Sequence, residues 1–199
     1  MSFYRSSDFR ALPWHYPVGV LWDLFGDHST QRSHLDLVVR FREPKSCGDE
    51  FMEGRVPASF GALFLNQLKV ALCIRGKGLS QFNILPKEET DALQSVAGGE
   101  NTIDLTSCFK IFDRLFPSES TVAAIKIYYR KGKEVHTQVS AVLLQSDTTV
   151  SQLLSQRGLD PGLVVRTQGV SLHGGTPLEF LQKECMYADG FVHLVTLSN

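Results

Sequence analysis

Lys69 is the cation in the middle of a long apolar run, residues 59–75, which reads SFGALFLNQLKVALCIR. Placed on a helix at about 100° per residue, Ala62, Asn66, Lys69 and Cys73 share one narrow stripe, small and polar where the rest is apolar. A lysine in such a place has two uses. It can snorkel at the rim of a core, or its amine can attack an activated acyl group and form an amide. The attack needs a neutral nitrogen, scarce for an ordinary lysine at pH 7, and apolar surroundings favour that form. Leu65 and Leu72 flank the stripe and would supply them. On this reading the amine is accessible while Phe60, Phe64 and Ala71 are buried on the opposite face.

The other candidates are weaker. Cys73 has neither a nearby histidine nor a helix N-terminus to make a thiolate, and reads as a small core residue. Trp14, His15 and Tyr16, bracketed by Pro13 and Pro17, make an aromatic corner that either binds a partner or satisfies itself. Gly76-Lys77-Gly78 is too short for a phosphate loop, and Arg130, Lys131 and Lys133 form a small basic hairpin tip, read as solvated. No Ser/His/Asp or Cys/His spacing points to a hydrolase, so no catalytic residue is expected. The cysteines at 47, 73, 108 and 185 are far apart without a C-x-x-C, so neither a metal site nor a disulfide framework is signalled, and no cofactor is expected.

The elements that must position Lys69 follow from the same reading. Ser59 caps the central helix at its start, and Gly76 and Gly78 stand just past its end. With apolar residues on most of its circumference, that helix should be central and buried. Before it, residues 1–4 and 35–41 read as strands and 18–25 as a short helix. Residues 43–57, broken by Pro44, Gly48 and Gly54, read as a linker. After it come helices over 86–96 and 102–116, the second with an apolar stripe that includes Phe109 and stopped by Pro117.

From residue 121 the pattern changes. Two strands joined at Lys131-Gly132-Lys133, a helix capped at Thr148 or Thr149, a strand over 163–166, a short piece at 170–172, a helix opened by Pro177 and a strand over 191–197 give the order ββαβ(β)αβ. That is the β-grasp order of ubiquitin. The fold class is therefore α+β, in three parts: 1–44, 45–120 and 121–199. In the last part, Val122, Ala124, Val139 or its alternating neighbours, Val165 and Leu194 should face the helix over 150–156.

Charge sets outer bounds. A net charge of −1 with 20 basic and 21 acidic residues gives no pull towards nucleic acid. No apolar run reaches the length of a membrane span, and no signal peptide is expected at MSFYRSSDFR.

Residues 12–24, LPWHYPVGVLWDL, resemble the L-x-W-H-Y-P-I-G-L-L-x-D-L segment of the autophagy-related protein 5 family. Thr176-Pro177-Leu178-Glu179-Phe180-Leu181 and Asp189-Gly190-Phe191-Val192-His193-Leu194 are similar to that family's C-terminal pieces. The resemblance implies two ubiquitin-like domains flanking a helix-rich domain. It implies that Lys69, by the spacing from Phe64, accepts the C-terminal glycine of autophagy-related protein 12 in an isopeptide bond. It also implies that the conjugate binds autophagy-related protein 16 and acts as an E3-like factor, lipidating a protein-8 modifier in the cytoplasm and at the preautophagosomal membrane. The alternative is a β-grasp adaptor that binds its partner without conjugation.

Two expectations accompany the resemblance. The family's first hairpin and first helix have no counterpart before Ser2, so the first ubiquitin-like domain is expected to be incomplete, as in a truncated gene model. Phe3, Trp14, Val20, Leu24 and Val39 should then be less buried than their apolar character implies, unless a partner covers them. A ubiquitin-like modifier also needs a terminal glycine, whereas this sequence ends Thr196-Leu197-Ser198-Asn199, so the chain reads as a recipient of a modifier.

Overall fold

The computed structural model describes residues 2–5, 12, 16–26, 35, 37–40, 60–98, 105–117, 119–132, 134–145 and 147–197. Strand β1 (Ser2–Arg5) pairs antiparallel with β2 (Leu37–Arg40), and helix α1 (Val18–Phe25) lies between them in sequence. Four helices follow: α2 (Phe60–Ile74), a single turn α3 (Ser80–Asn83), α4 (Lys87–Gly98) and α5 (Leu105–Leu115). The sequence reading omitted α3, which is too short for periodicity to show.

The rest is a β-grasp unit. Strands β3 (Val122–Lys131) and β4 (Glu134–Leu143) form a hairpin, turned at Gly132 with φ 65°. Helix α6 (Val150–Gln156) follows, then β5 (Val164–Thr167), β6 (Val170–Leu172), α7 (Leu178–Glu184) and β7 (Val192–Leu197). The sheet order is β4-β3-β7-β5-β6, with β3 and β7 parallel and the other pairs antiparallel. Thr149 starts α6 through a capping box: its hydroxyl accepts from the Gln152 N–H, and the Gln152 side chain accepts from the Thr149 N–H at 2.8 Å.

Both faces of this sheet are covered. On the inner face Ala123, Ile125, Ile127, Val142, Val165, Val192 and Leu194 pack on Val150, Leu153 and Leu154 of α6 and on Leu178 and Leu181 of α7. On the outer face Ala124 and Phe191 meet α2 and α5 through Leu68, Ala71, Leu72, Ile111, Leu115 and Phe116. Farther along that face Tyr128 and Val195 meet Val20, Leu21, Leu24 and Phe25 of α1.

That layering corrects several expectations. Val165 and Leu194 face α6 as expected, but Ala124 does not. In β3 it is Ala123, Ile125 and Ile127 that face inward, while Val139 of β4 is 47% exposed on the outer side. A strand buried on both faces loses the alternation that fixes its phase. Val20 and Leu24 are fully buried, at 0% and 4% exposure, because the β-grasp sheet of the same chain covers them. The side chains of Phe3, Trp14 and Val39 lie outside the described residues. Phe109, placed in the apolar stripe of α5, is 65% exposed, and Ile111 and Leu115 carry the packing instead.

Candidate functional site

Helix α2 ends in a Schellman motif. Gly76 takes φ 73°, its N–H donates to the Cys73 carbonyl at 3.0 Å, and the Lys77 N–H donates to the Leu72 carbonyl at 3.3 Å. Near the other end, Gly61 lets α4 come close: a Cβ there would stand 2.4 Å from the Gln94 carbonyl oxygen. Leu65, Leu68, Ala71 and Leu72 turn inward and are buried. Ala62, Asn66 and Cys73 are exposed, and Lys69 between them is half-buried.

The stripe drawn from the sequence is thus the outward one, and Lys69 sits on it. Of its expected buried back, Ala71 is buried, Phe64 is half-buried and the Phe60 side chain is outside the described residues. The helix is less enclosed than expected, since Val70 is also 45% exposed. Cys73 is a plain correction: it is an exposed free thiol, because it shares the outward stripe with Lys69 instead of the inward one with Leu72. The Lys69 ammonium lies over the ring of Phe82 in α3, 4.8 Å from the centroid.

Two anchors set α2 on the sheet. The first begins two residues before Lys69. The Lys126 ammonium, from the outer face of β3, donates to Gln67 Oε1 at 2.7 Å and to Asp189 Oδ2 at 3.2 Å, above the Phe191 ring at 3.8 Å. Asp189 also meets His193 Nε2 at 3.0 Å and accepts from the Phe191 N–H, and His193 Nδ1 pairs with the Tyr128 hydroxyl at 2.8 Å. Burial alone would raise the Asp189 carboxyl, but His193, Lys126 and the Phe191 N–H outweigh it and hold it below its ordinary value. For Lys126, burial wins and Asp189 offsets it only in part, so the ammonium falls below its ordinary range. Burial pushes the Tyr128 phenol well above its usual value.

The second anchor is Arg75, just past the end of α2 and only 4% exposed. Its Nη2 donates to the Met186 sulfur at 3.0 Å and to the Gly190 carbonyl at 3.3 Å, and the guanidinium lies over Phe116. Nε and Nη1 find no partner among the described residues, and burial pulls the group down to about 10. Gly190, at φ 82°, lets these pieces close: a Cβ would stand 2.4 Å from Phe116 and 3.0 Å from the Ala71 Cβ.

Of the aromatic corner, Trp14 and His15 lie outside the described residues. Tyr16 is half-buried on the outer face, its ring edge-on to Tyr128 at 5.0 Å between centroids and its hydroxyl 3.2 Å from Thr137 Oγ1. Arg130, expected in a solvated basic tip, instead reaches back to the Leu24 carbonyl and the Phe25 ring of α1. Sequence reading missed the Lys126–Asp189–His193–Tyr128 network. Its members lie in two stretches, 126–128 and 189–193, more than 60 residues apart in sequence. Among the described residues no cluster of His, Cys, Asp or Glu could hold a metal, and no helix is long and apolar enough to cross a membrane.

A β-grasp sheet whose central strands are covered on the outer face by helices of its own chain defines a ubiquitin-like scaffold. Residues 94–196, just over half of the chain, match the family model described as the UblB domain of autophagy protein ATG5. The chain belongs to that family. A crystal structure of Kluyveromyces marxianus Atg5 superposes with a TM-score of 0.70 at 20% identity, over 98% of this chain and 72% of that one. None of the curated proteins matches. Membership in the family carries a role in autophagy with it.

Proposed function

We propose that this chain is the acceptor and scaffold of a ubiquitin-like conjugation step in autophagy. Lys69 takes the C-terminal glycine of autophagy-related protein 12 in an isopeptide bond. The conjugate binds autophagy-related protein 16 and promotes lipidation of a protein-8 modifier, working from the cytoplasm and, as a peripheral component, at the preautophagosomal membrane. The chain itself is not a catalyst: the activated thioester belongs to a separate enzyme, and this protein presents the amine.

The observation that supports this reading is the placement of Lys69 on the outward stripe of α2, with small or polar Ala62, Asn66 and Cys73 exposed beside it. An incoming peptide tail meets little side-chain bulk there. The chemistry needs the Lys69 nitrogen to attack the thioester carbonyl. The C–S bond then breaks, the thiolate leaves with its electron pair, and the excess proton passes to solvent.

Reconstitution with the conjugating enzymes and autophagy-related protein 12 tests it. Wild type should form a species of summed mass that survives thiol reductant. Lys69→Arg should not, because a guanidinium does not form this amide. Its folding stability should change by less than about 0.5 kcal/mol, as for a surface substitution. A reductant-resistant species from the Arg variant would move the acceptor to another lysine such as Lys77. Its absence from wild type would favour the non-covalent adaptor.

A further inference from the structure

We propose that Phe82 is a latch on Lys69: it holds the side chain down on α3 and lowers the reactivity of the amine until a partner displaces it. Phe82 is 6% exposed and belongs to the core packed by Leu65, Leu68, Leu72 and Leu93, so its ring cannot swing away. One face of that ring is left to the Lys69 ammonium at 4.8 Å. Among the described residues Lys69 makes no ion pair, and the ring is the group found against its charge.

An aromatic face attracts a cation through its quadrupole and has little hold on a neutral amine. Acylation consumes the cation. The nitrogen loses a proton, attacks the acyl carbon and ends as a neutral amide. The contact is therefore complete in the resting protein and at most partial in the transition state, and an interaction stronger in the ground state slows the reaction. A side chain resting on the ring is also turned from an acyl donor approaching along the stripe. The competent fraction is reduced by the strength of the contact. A partner that wedges between the ring and the side chain would lift the amine off without holding its charge, so that acylation and docking become linked.

This inference takes its biological meaning from Lys69 being the acceptor, but its test does not need the conjugating machinery. The full chain is treated with the N-hydroxysuccinimide ester of acetic acid, and acetylation of each lysine is followed by mass spectrometry. The nitrogen–acyl bond forms, the acyl–oxygen bond breaks, N-hydroxysuccinimide leaves, and the proton goes to buffer. In wild type Lys69 should react more slowly than exposed Lys110. Phe82→Leu keeps an apolar side chain but removes the ring, and should raise the Lys69 to Lys110 ratio about two- to five-fold, the range a cation–π contact supports. Phe82→Tyr keeps the ring and should leave the ratio at the wild-type value, which a merely structural role would not require. If thermal unfolding shows that Phe82→Leu is not folded, Phe82→Met carries the same expectation.

The latch is overturned if wild-type Lys69 reacts as fast as Lys110, if removing the ring leaves the ratio unchanged or lower, or if Phe82→Tyr raises it as much as Phe82→Leu. A latch that passes while no reductant-resistant conjugate forms would sink the acceptor reading and leave the latch standing. The reverse result would do the opposite.

Discussion

The two faces of the sheet are both buried at its central strands β3 and β7, yet they are built differently. The inner face is mainly apolar, Ile125, Ile127, Val192 and Leu194 against Val150, Leu153 and Leu154, and its buried Ser140, Thr167 and Thr196 are not joined to one another. The outer face carries Lys126, Tyr128 and His193 among its apolar residues and joins them through Asp189. An apolar face stabilises in proportion to area and has little preference for direction. A buried polar network fixes register, because each unmet donor or acceptor is costly. The inner face therefore holds the β-grasp unit together, and the outer face fixes where α1 and α2 sit on it, including the stripe that presents Lys69.

The sharpest way to break that division is to empty the inner face. Leu153→Ala should cost about 2–5 kcal/mol, as for other large-to-small core changes. Hydrogen exchange should accelerate across the whole sheet and its helices together. If only α6 exchanges faster, the inner face is not the common core.

Gly190→Ala comes next and acts on the outer face. The new Cβ meets Phe116 and Ala71 and requires a left-handed backbone that alanine resists, so about 2–4 kcal/mol is expected in urea unfolding. Exchange should rise in α2 and α5 before it rises in β3 and β7. Equal acceleration on both faces would show that they unfold as one unit.

Asp189→Asn removes the carboxylate from beside Lys126 and His193 and should cost about 2 kcal/mol, less than a fully buried pair because Asp189 and Lys126 keep some solvent. It also carries a pH signature. The Asp189 carboxyl is held below its unfolded value, so its stabilisation is fully present above that value and is lost as pH falls through the folded one. Unfolding midpoints measured from pH 7 down to pH 2 should fall less steeply for the variant. A parallel fall would mean Asp189 is not the group responsible.

Tyr128→Phe makes the smallest change. It deletes the hydroxyl that pairs with His193 Nδ1 and should cost about 1 kcal/mol, the ordinary net value of one hydrogen bond. The Tyr16 and α1 contacts of the ring should persist, and loss of α1 protection would show that the hydroxyl does more than pair.

Much of this was legible before any coordinates, and for physical reasons. The order of elements in the C-terminal part, the α6 cap at Thr149 and the outward stripe of α2 all follow from local rules of capping and periodicity. What escaped was decided by neighbours distant in sequence. The phase of β3 was read one residue out because Ala124 and Tyr128 are buried by α2, α5 and α1, which erased the alternation. Cys73 looked like core because its chemistry suits one, although its angular position matched Lys69. Phe82 gave no hint of its role, since the contact depends on how a single turn folds back beneath α2.

Arg75 has a mechanical consequence. Its contacts are a ring, a sulfur and a carbonyl, and none of these titrates in acid. The clamp at Lys126 does depend on an ionised carboxylate. Acid that neutralises Asp189 therefore removes one of the two acceptors that hold Lys126 beneath α2 and leaves the Arg75 contacts as they are. The helix is thus secured asymmetrically, by an acid-sensitive strut under its middle and an acid-proof one at its C-terminal end, while the packing of Leu65, Leu68 and Leu72 is common to both states.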